Sequence, residues 1–250
     1  MIDTYKSTKG FYLDKSNIQR KYHYTCFSSS DTCDKVYYLV YFDTGYFYYL
    51  TLDGETNIDA VNEAMYSPNN NSTIKNKIDT WYKENMVSYT SYLEDTVWCN
   101  DKSNHYGPLM SKDSTNSTNV FSGDYRNTVG YKPSLKCENI NDRYTVSKEN
   151  GNGALTYPVG ILTADEVSYA GSGWRNTVLN GYLKNGLSNW VLTPAYYGYD
   201  FARGFAVQSN NALVIPASNF SDHVRPAISL EHDVIYVSGD GSFEKPYVIK

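Results

Sequence analysis

Histidines, cysteines and scattered carboxylates are the residues of this 250-residue chain that could carry acid–base, nucleophilic or metal chemistry. Their spacing decides whether they do. Of the four histidines, His23, His105, His223 and His232, no two stand where a helix would put both imidazoles on one face, so each is expected at the surface or in a turn. No Gly-x-Ser-x-Gly elbow, phosphate-binding glycine loop or dinucleotide fingerprint occurs. Asp165 and Glu166 are adjacent, which on a helix sends them in different directions. Glu166 is read as a capping residue instead. The stretch Ser238-Gly-Asp-Gly-Ser-Phe-Glu244 offers Asp240, Ser242 and Glu244 but lacks the ligand count of a calcium loop, and Asp53-Gly54 reads as a turn. The expectation is no catalytic residue, no metal ligand and no cofactor.

The cysteines, Cys26, Cys33, Cys99 and Cys137, match neither paired metal-ligand spacing nor a redox motif. An even count suggests two bridges: Cys26 with Cys33 around a short polar loop, and Cys99 with Cys137 around an irregular middle segment. The alternative is four reduced thiols in a cytosolic protein.

The elements that must position any site come next. Residues 36–52, VYYLVYFDTGYFYYLTL, are two aromatic and β-branched runs around Asp43-Thr44-Gly45 and predict a hairpin. Residues 56–66 and 72–86 show helical spacing; Ser72 caps the second, and Ile74, Ile78, Trp81 or Tyr82 and Met86 share a face. From Val97 to about Asn150, apolar residues are sparse and loop is expected. In YPVGILTADEVSYAG, residues 157–171, a short strand leads to a capping box of Thr163 and Glu166, and Gly171 ends the helix. Residues 189–194, 202–218 and 224–250 read as short strands, with SNNA as the turn between FAVQ and LVIP. The class is α+β, with helices early and strands late. Residues 1–55 are expected as an N-terminal hairpin region packed on a main domain of residues 56–250, within what could be one continuous domain.

Composition narrows the function classes. Aromatic residues are 16% of the chain and 26 of them are tyrosines, above ordinary usage, while charged residues are 20%. Tyrosine offers a large ring, a polar tip and few torsions to freeze, which suits contact surfaces as well as strands. Net charge is −5, without a basic cluster, which argues against nucleic acid as a partner. No apolar run reaches membrane-spanning length, so any export signal or anchor is expected outside these residues.

Short motifs late in the chain carry a resemblance. YPVGILTADEVSYAG, then Trp190-Val-Leu-Thr-Pro194, a Tyr- and Asn-rich stretch, Val224-Arg-Pro-Ala227 and SGDGS..KPYVI follow one another in the order of an uncharacterised bacterial domain family. IDTWYKENM and YLEDTVWCNDKS upstream are similar to it too, extending the likeness over roughly residues 25–250. Its C-terminal half resembles the formylglycine-generating variant of the C-type lectin fold, implying a C-type-lectin-like fold of short strands, two or three short helices and much loop. Formylglycine-generating enzymes use a late cysteine pair, and no cysteine follows Cys137 here. The calcium-binding Glu-Pro-Asn and Trp-Asn-Asp motifs of sugar-binding lectins are missing as well. The resemblance therefore implies the branch that displays a ligand-binding surface, as in variable proteins of diversity-generating retroelements and surface adhesins.

In that reading Trp190, Pro194, Arg225 and Pro226 are scaffold. Tyr196, Tyr197, Tyr199, Asp200, Phe201, Arg203, Ser209, Asn210, Asn211, Asn219, Phe220, Asp222 and His223 form the ligand-binding surface, while Phe205, Val207, Leu213 and Ile215 are core. The expected protein is a non-catalytic, extracellular or cell-surface module whose partner is a protein or glycan on another cell or host. Its membrane contact, if any, runs through an anchor outside these residues. The alternatives are a hydrolase drawing on His223, Asp222 and a serine, and a structural subunit of a surface assembly. Two bridges predict a free-thiol count near zero on the denatured, unreduced protein; four free thiols would return the chain to a reducing compartment.

Overall fold

The computed structural model describes residues 72–106, 120–176, 183, 186–198, 201–217 and 220–239, together with strands at 11–13, 18–22, 37–41, 47–49 and 247–249. Among the described residues the α-helices are α1 (Thr73–Asn85), α2 (Ser122–Thr128) and α3 (Ala164–Tyr169). The early strands are β1 (Phe11–Leu13), β2 (Ile18–Tyr22), β3 (Tyr37–Tyr41), β4 (Phe47–Tyr49), β5 (Leu93–Glu94), β6 (Trp98–Cys99), β7 (Asn104–Tyr106), β8 (Val120–Phe121) and β9 (Arg143–Tyr144). The later ones are β10 (Gly173–Trp174), β11 (Asn189–Gly198), β12 (Phe201–Val207), β13 (Ala212–Val214), β14 (Ser221–His223), β15 (Ala227–Leu230), β16 (Tyr236–Ser238) and β17 (Tyr247–Ile249). The architecture is α+β, with few helices around a curled sheet of order β10-β13-β12-β11-β14-β4, onto which β8 and β7 add beside β11. A second sheet runs β2-β3-β15-β5, a third β1-β17-β16, and β6 pairs with β9.

The long arms β11 and β12 divide the core in two. On one side Val191, Ala195, Phe205, Val207 and Leu213 pack with Trp98, Leu162 and Val167. On the other, Trp190, Ala206 and Val224 pack with Ile74, Ile78, Trp81 and Tyr82 of α1. The alternation of Phe205 and Val207 with Ala206 is the period-two pattern of a strand buried on both faces. Helix α1 forms as its spacing predicts, its apolar stripe buried and Ser72 Oγ accepting from Lys75 N at 3.1 Å. In α3 both arms of the capping box are present. Thr163 Oγ1 accepts from Glu166 N at 3.1 Å, and Thr163 N donates to Glu166 Oε2 at 2.7 Å. Gly171 follows at φ +97°, a conformation glycine adopts without strain.

Three expectations are corrected. Among the described residues β3 pairs with β2 and β15, and β4 with β14, so residues 36–52 are not a hairpin but two strands of different sheets. Asp43-Thr-Gly45 permits a hairpin, yet β15 is buried in every residue and takes β3 as a flanking partner, so long-range burial overrides the turn. The middle segment is not all loop: α2 forms there from SGDYRNT, which has no apolar stripe and is held by polar tertiary contacts. At YPVG the backbone makes only an isolated bridge, Gly160 to Ala227, rather than a strand. The sequence-predicted helix at 56–66, Cys26, Cys33, Asp53, Gly54, Asp240, Ser242 and Glu244 lie outside the described residues.

Cys99 and Cys137 are bridged, with Cα atoms 5.7 Å apart and a sequence separation of 38. A loop of that length removes about 4 kcal/mol of unfolded-chain entropy when closed. Nearby, Gly160 leaves room for the fully buried Trp98 ring, on which an added methyl would fall directly. Gly160→Ala is therefore expected to lower stability by about 1–3 kcal/mol through displacement of that ring, read as an equal loss in urea unfolding free energy. An unchanged midpoint would show that the Trp98 site yields freely.

Candidate ligand-binding surface

The stretch TPAYYGYDFARG forms the far end of the β11–β12 hairpin. Tyr196 pairs with Arg203, Tyr197 with Ala202 and Gly198 with Phe201, leaving residues 199 and 200 as the connection. Register shifts between Trp190 and Pro194, and between Pro194 and Tyr196, mark bulges, which re-aim side chains and sharpen local twist. Tyr196 is half-buried against the Phe205 side of the core. The Arg203 guanidinium stands 5.7 Å from its ring centroid, within cation–π range.

A second pair stands two strands away on the same core. Trp174 of β10 meets Phe205 edge to face at 6.2 Å, and Arg175 lies 4.8 Å over the Trp174 ring. Arg175 holds φ +53°, a left-handed conformation unusual for arginine, while its N–H donates to Leu213 O at 2.9 Å. Trp174 and Arg175 escaped the sequence reading because nothing in the run GSGWRN marks an arginine as left-handed.

The remaining sequence-predicted positions divide by environment. Ser209 is exposed, and Phe220 is 62% exposed. Asn210 Oδ1 accepts from Ala212 N at 3.0 Å, and Asn211 is 1% exposed at φ +68°. Both asparagines thus build the β12–β13 turn, and Asn211 is corrected from surface to interior, because a left-handed turn position favours asparagine. Asp222 and His223 lie half-buried on β14, paired with Tyr48 and Phe47 of β4. His223 Nδ1 lies 3.0 Å from Ser188 O, a carbonyl that can only accept, so the bond is donated by the ring. Burial pushes the Asp222 carboxyl up from its ordinary value, opposed by the His223 N–H at 2.9 Å and by the His223 ring. The side chains of Tyr197 and Phe201, and all of Tyr199, Asp200 and Asn219, lie outside the described residues. The scaffold positions Trp190, Pro194, Arg225 and Pro226 are buried, and Arg225 Nη1 donates to Leu183 O at 2.8 Å.

Beneath the hairpin lies a polar hub. Asp165 of α3 accepts from Arg126 Nε at 3.1 Å and Nη2 at 2.9 Å, from Asn127 Nδ2 at 3.2 Å and from Ser134 N at 2.9 Å. Arg126 Nη1 also reaches Asp101 Oδ2 at 2.7 Å. Burial works against the charge of Arg126, but Asp165 and Asp101 outweigh it and hold its pKa above the ordinary value. A cleft opens here beside Cys99, Lys136 and Thr193. The hub reaches the hairpin twice: Ala164 N donates to Thr193 Oγ1 at 2.8 Å, and β8, which leads into α2, pairs Val120 with Tyr196.

No family model, curated protein or solved structure matches this chain.

On α2, burial pushes the Asp124 carboxyl up to about 6, while a bond from Thr128 Oγ1 at 3.0 Å pulls it down. A carboxyl raised on folding contributes stability below its unfolded pKa, and that contribution is lost as pH rises through 6. Asp124→Asn is thus expected to be more stable than wild type at pH 8, by up to about 3 kcal/mol, with the gap closing toward pH 4. Urea unfolding across that range is the check, and parallel pH profiles for the two proteins would refute the assignment.

Proposed function

We propose that this chain is a non-catalytic binding module whose ligand, a protein or a glycan, meets the β11–β12 hairpin. The observation that supports the reading is the Tyr196–Arg203 pair. It joins a half-buried ring and a guanidinium on opposite arms of a hairpin rooted in both halves of the core. Such a pair joins a rigid aromatic face to a planar, charged guanidinium, the combination that anchors many interfaces. The neighbouring Trp174–Arg175 pair and exposed Phe220 extend the same chemistry.

The finer fold in this reading is C-type-lectin-like, of the formylglycine-generating variant, resting on the motif order noted above. The Cys99–Cys137 bridge supports an oxidising compartment, hence an extracellular or cell-surface location. Among the described residues no helix is long and apolar enough to cross a membrane, so attachment in this reading falls to a segment outside them.

Glycan-array and surface-protein screens with the purified chain identify the ligand class. Arg203→Ala and the double variant Tyr197→Ala/Phe201→Ala are each expected to weaken binding about 10-fold or more, with the thermal midpoint of Arg203→Ala within a few degrees of wild type. Undiminished affinity in both would move the site away from this hairpin.

A further inference from the structure

We infer that Glu94, Glu231 and His232 bind a divalent cation of the zinc class, which ties β5 to the end of β15. Each of the three offers a ligand atom, and these atoms all lie within 4.8 Å of one another. A zinc ion about 2.0–2.2 Å from each donor needs them roughly 3–3.5 Å apart, a closure that rotamer adjustment of surface side chains supplies.

The strand register brings the two glutamates together. Leu230 pairs with Leu93 and Ser229 with Glu94, and Glu231 N donates to Tyr92 O at 2.8 Å, carrying the ladder one residue further. Leu93 and Leu230 both enter the core cluster that contains Ile78 and Trp81, which fixes their face of the sheet. Period-two alternation then sends Glu94, Ser229 and Glu231 to the other face. A turn closed by Val234 N to Glu231 O at 3.3 Å brings His232 back, with Nδ1 3.8 Å from Glu231 Oε2.

A second, independent feature lies on that face. The Ser229 side chain is fully buried, and its Oγ has no hydrogen-bond partner. Leaving a buried hydroxyl unsatisfied is costly, and such groups call for a water, an ion or a reoriented neighbour. Glu94 is its direct cross-strand partner, and such neighbours have Cβ atoms about 4.5–5.5 Å apart. A cation that draws the Glu94 carboxylate inward would supply the acceptor this hydroxyl lacks, the usual outer support of a metal ligand.

The donor set names the cation class. Two carboxylates at this separation repel, and a cation between them removes the repulsion. An imidazole nitrogen among the donors favours first-row transition ions over calcium or magnesium, which prefer oxygen throughout. With three protein ligands, a fourth tetrahedral position is left to water or to a further donor. The spacing escapes sequence inspection because Glu94 lies far along the chain from its partners.

The test is calorimetric titration of zinc chloride into the tag-free, EDTA-treated full chain, with calcium chloride in parallel and circular dichroism to verify folding. One zinc per chain, a raised thermal midpoint with zinc, and at least a 10-fold loss of affinity in both Glu94→Gln and His232→Ala support the site. His232 is more than half exposed, so His232→Ala is expected to fold as wild type does. Absence of saturable zinc binding, zinc affinity unchanged in both variants, or calcium binding tighter than zinc overturns it.

Discussion

The Asp165 carboxylate is the point on which much of the rest depends. It is 4% exposed and accepts four hydrogen bonds, two of them from one guanidinium. A buried carboxylate is tolerated only when its lone pairs are filled and its charge is matched, so these partners are mutually obligatory. Arg126 and Asn127 place α2, Ser134 places the loop approaching Cys137, and Asp101 ties in the segment after Cys99. Ser168 Oγ closes the circuit by donating to Asn127 Oδ1 at 2.7 Å. The hub and the disulfide thus organise the same stretch of chain, one by charge and hydrogen bonds, the other by covalent closure.

From that hub the order propagates to the large sheet. The N-terminus of α3 uses three separate acceptors: Glu166 Oε2 for Thr163 N, Thr163 Oγ1 for Glu166 N, and Thr193 Oγ1 for Ala164 N. The last belongs to β11, so one hydroxyl both satisfies a helix end and sets the helix on the sheet. Leu192 N bonds to Leu162 O at 2.8 Å on the same seam. Trp190 and Phe205, both fully buried, then clamp the hairpin arms from opposite faces. A hairpin so held fixes the backbone at Tyr196 and Arg203, so less conformational entropy remains to be lost if they are contacted.

The stretches legible in the sequence were those whose signal is local. Ser72 with the stripe Ile74, Ile78, Trp81 marked α1, and Thr163 with Glu166 marked α3, because caps and helical faces are set by residues three or four apart. The SNNA turn was legible for the same reason, although the burial of Asn211 was not. The middle segment read as loop because α2 carries Asp124, Arg126 and Asn127 where an apolar stripe would stand, and the tertiary partners of Arg126 and Asn127 lie 25 to 41 residues away. The candidate surface was found as a cluster of residue types, whereas its form as two paired arms, and the Trp174–Arg175 pair beside it, were not.

What the amino-acid order determined by itself was therefore short-range: caps, turns, a helix face and the β-rich character of the tail. Which strand lies beside which was decided only in three dimensions. Strand β3 leaves its neighbour β4 for β15, β1 joins β17, and β5 joins β15, bringing Glu94 beside Glu231 and His232. The physical reason is that strand pairing satisfies backbone hydrogen bonds equally well with many partners. The choice falls to whichever arrangement buries the apolar faces and leaves no charge alone, and that is a property of the whole core.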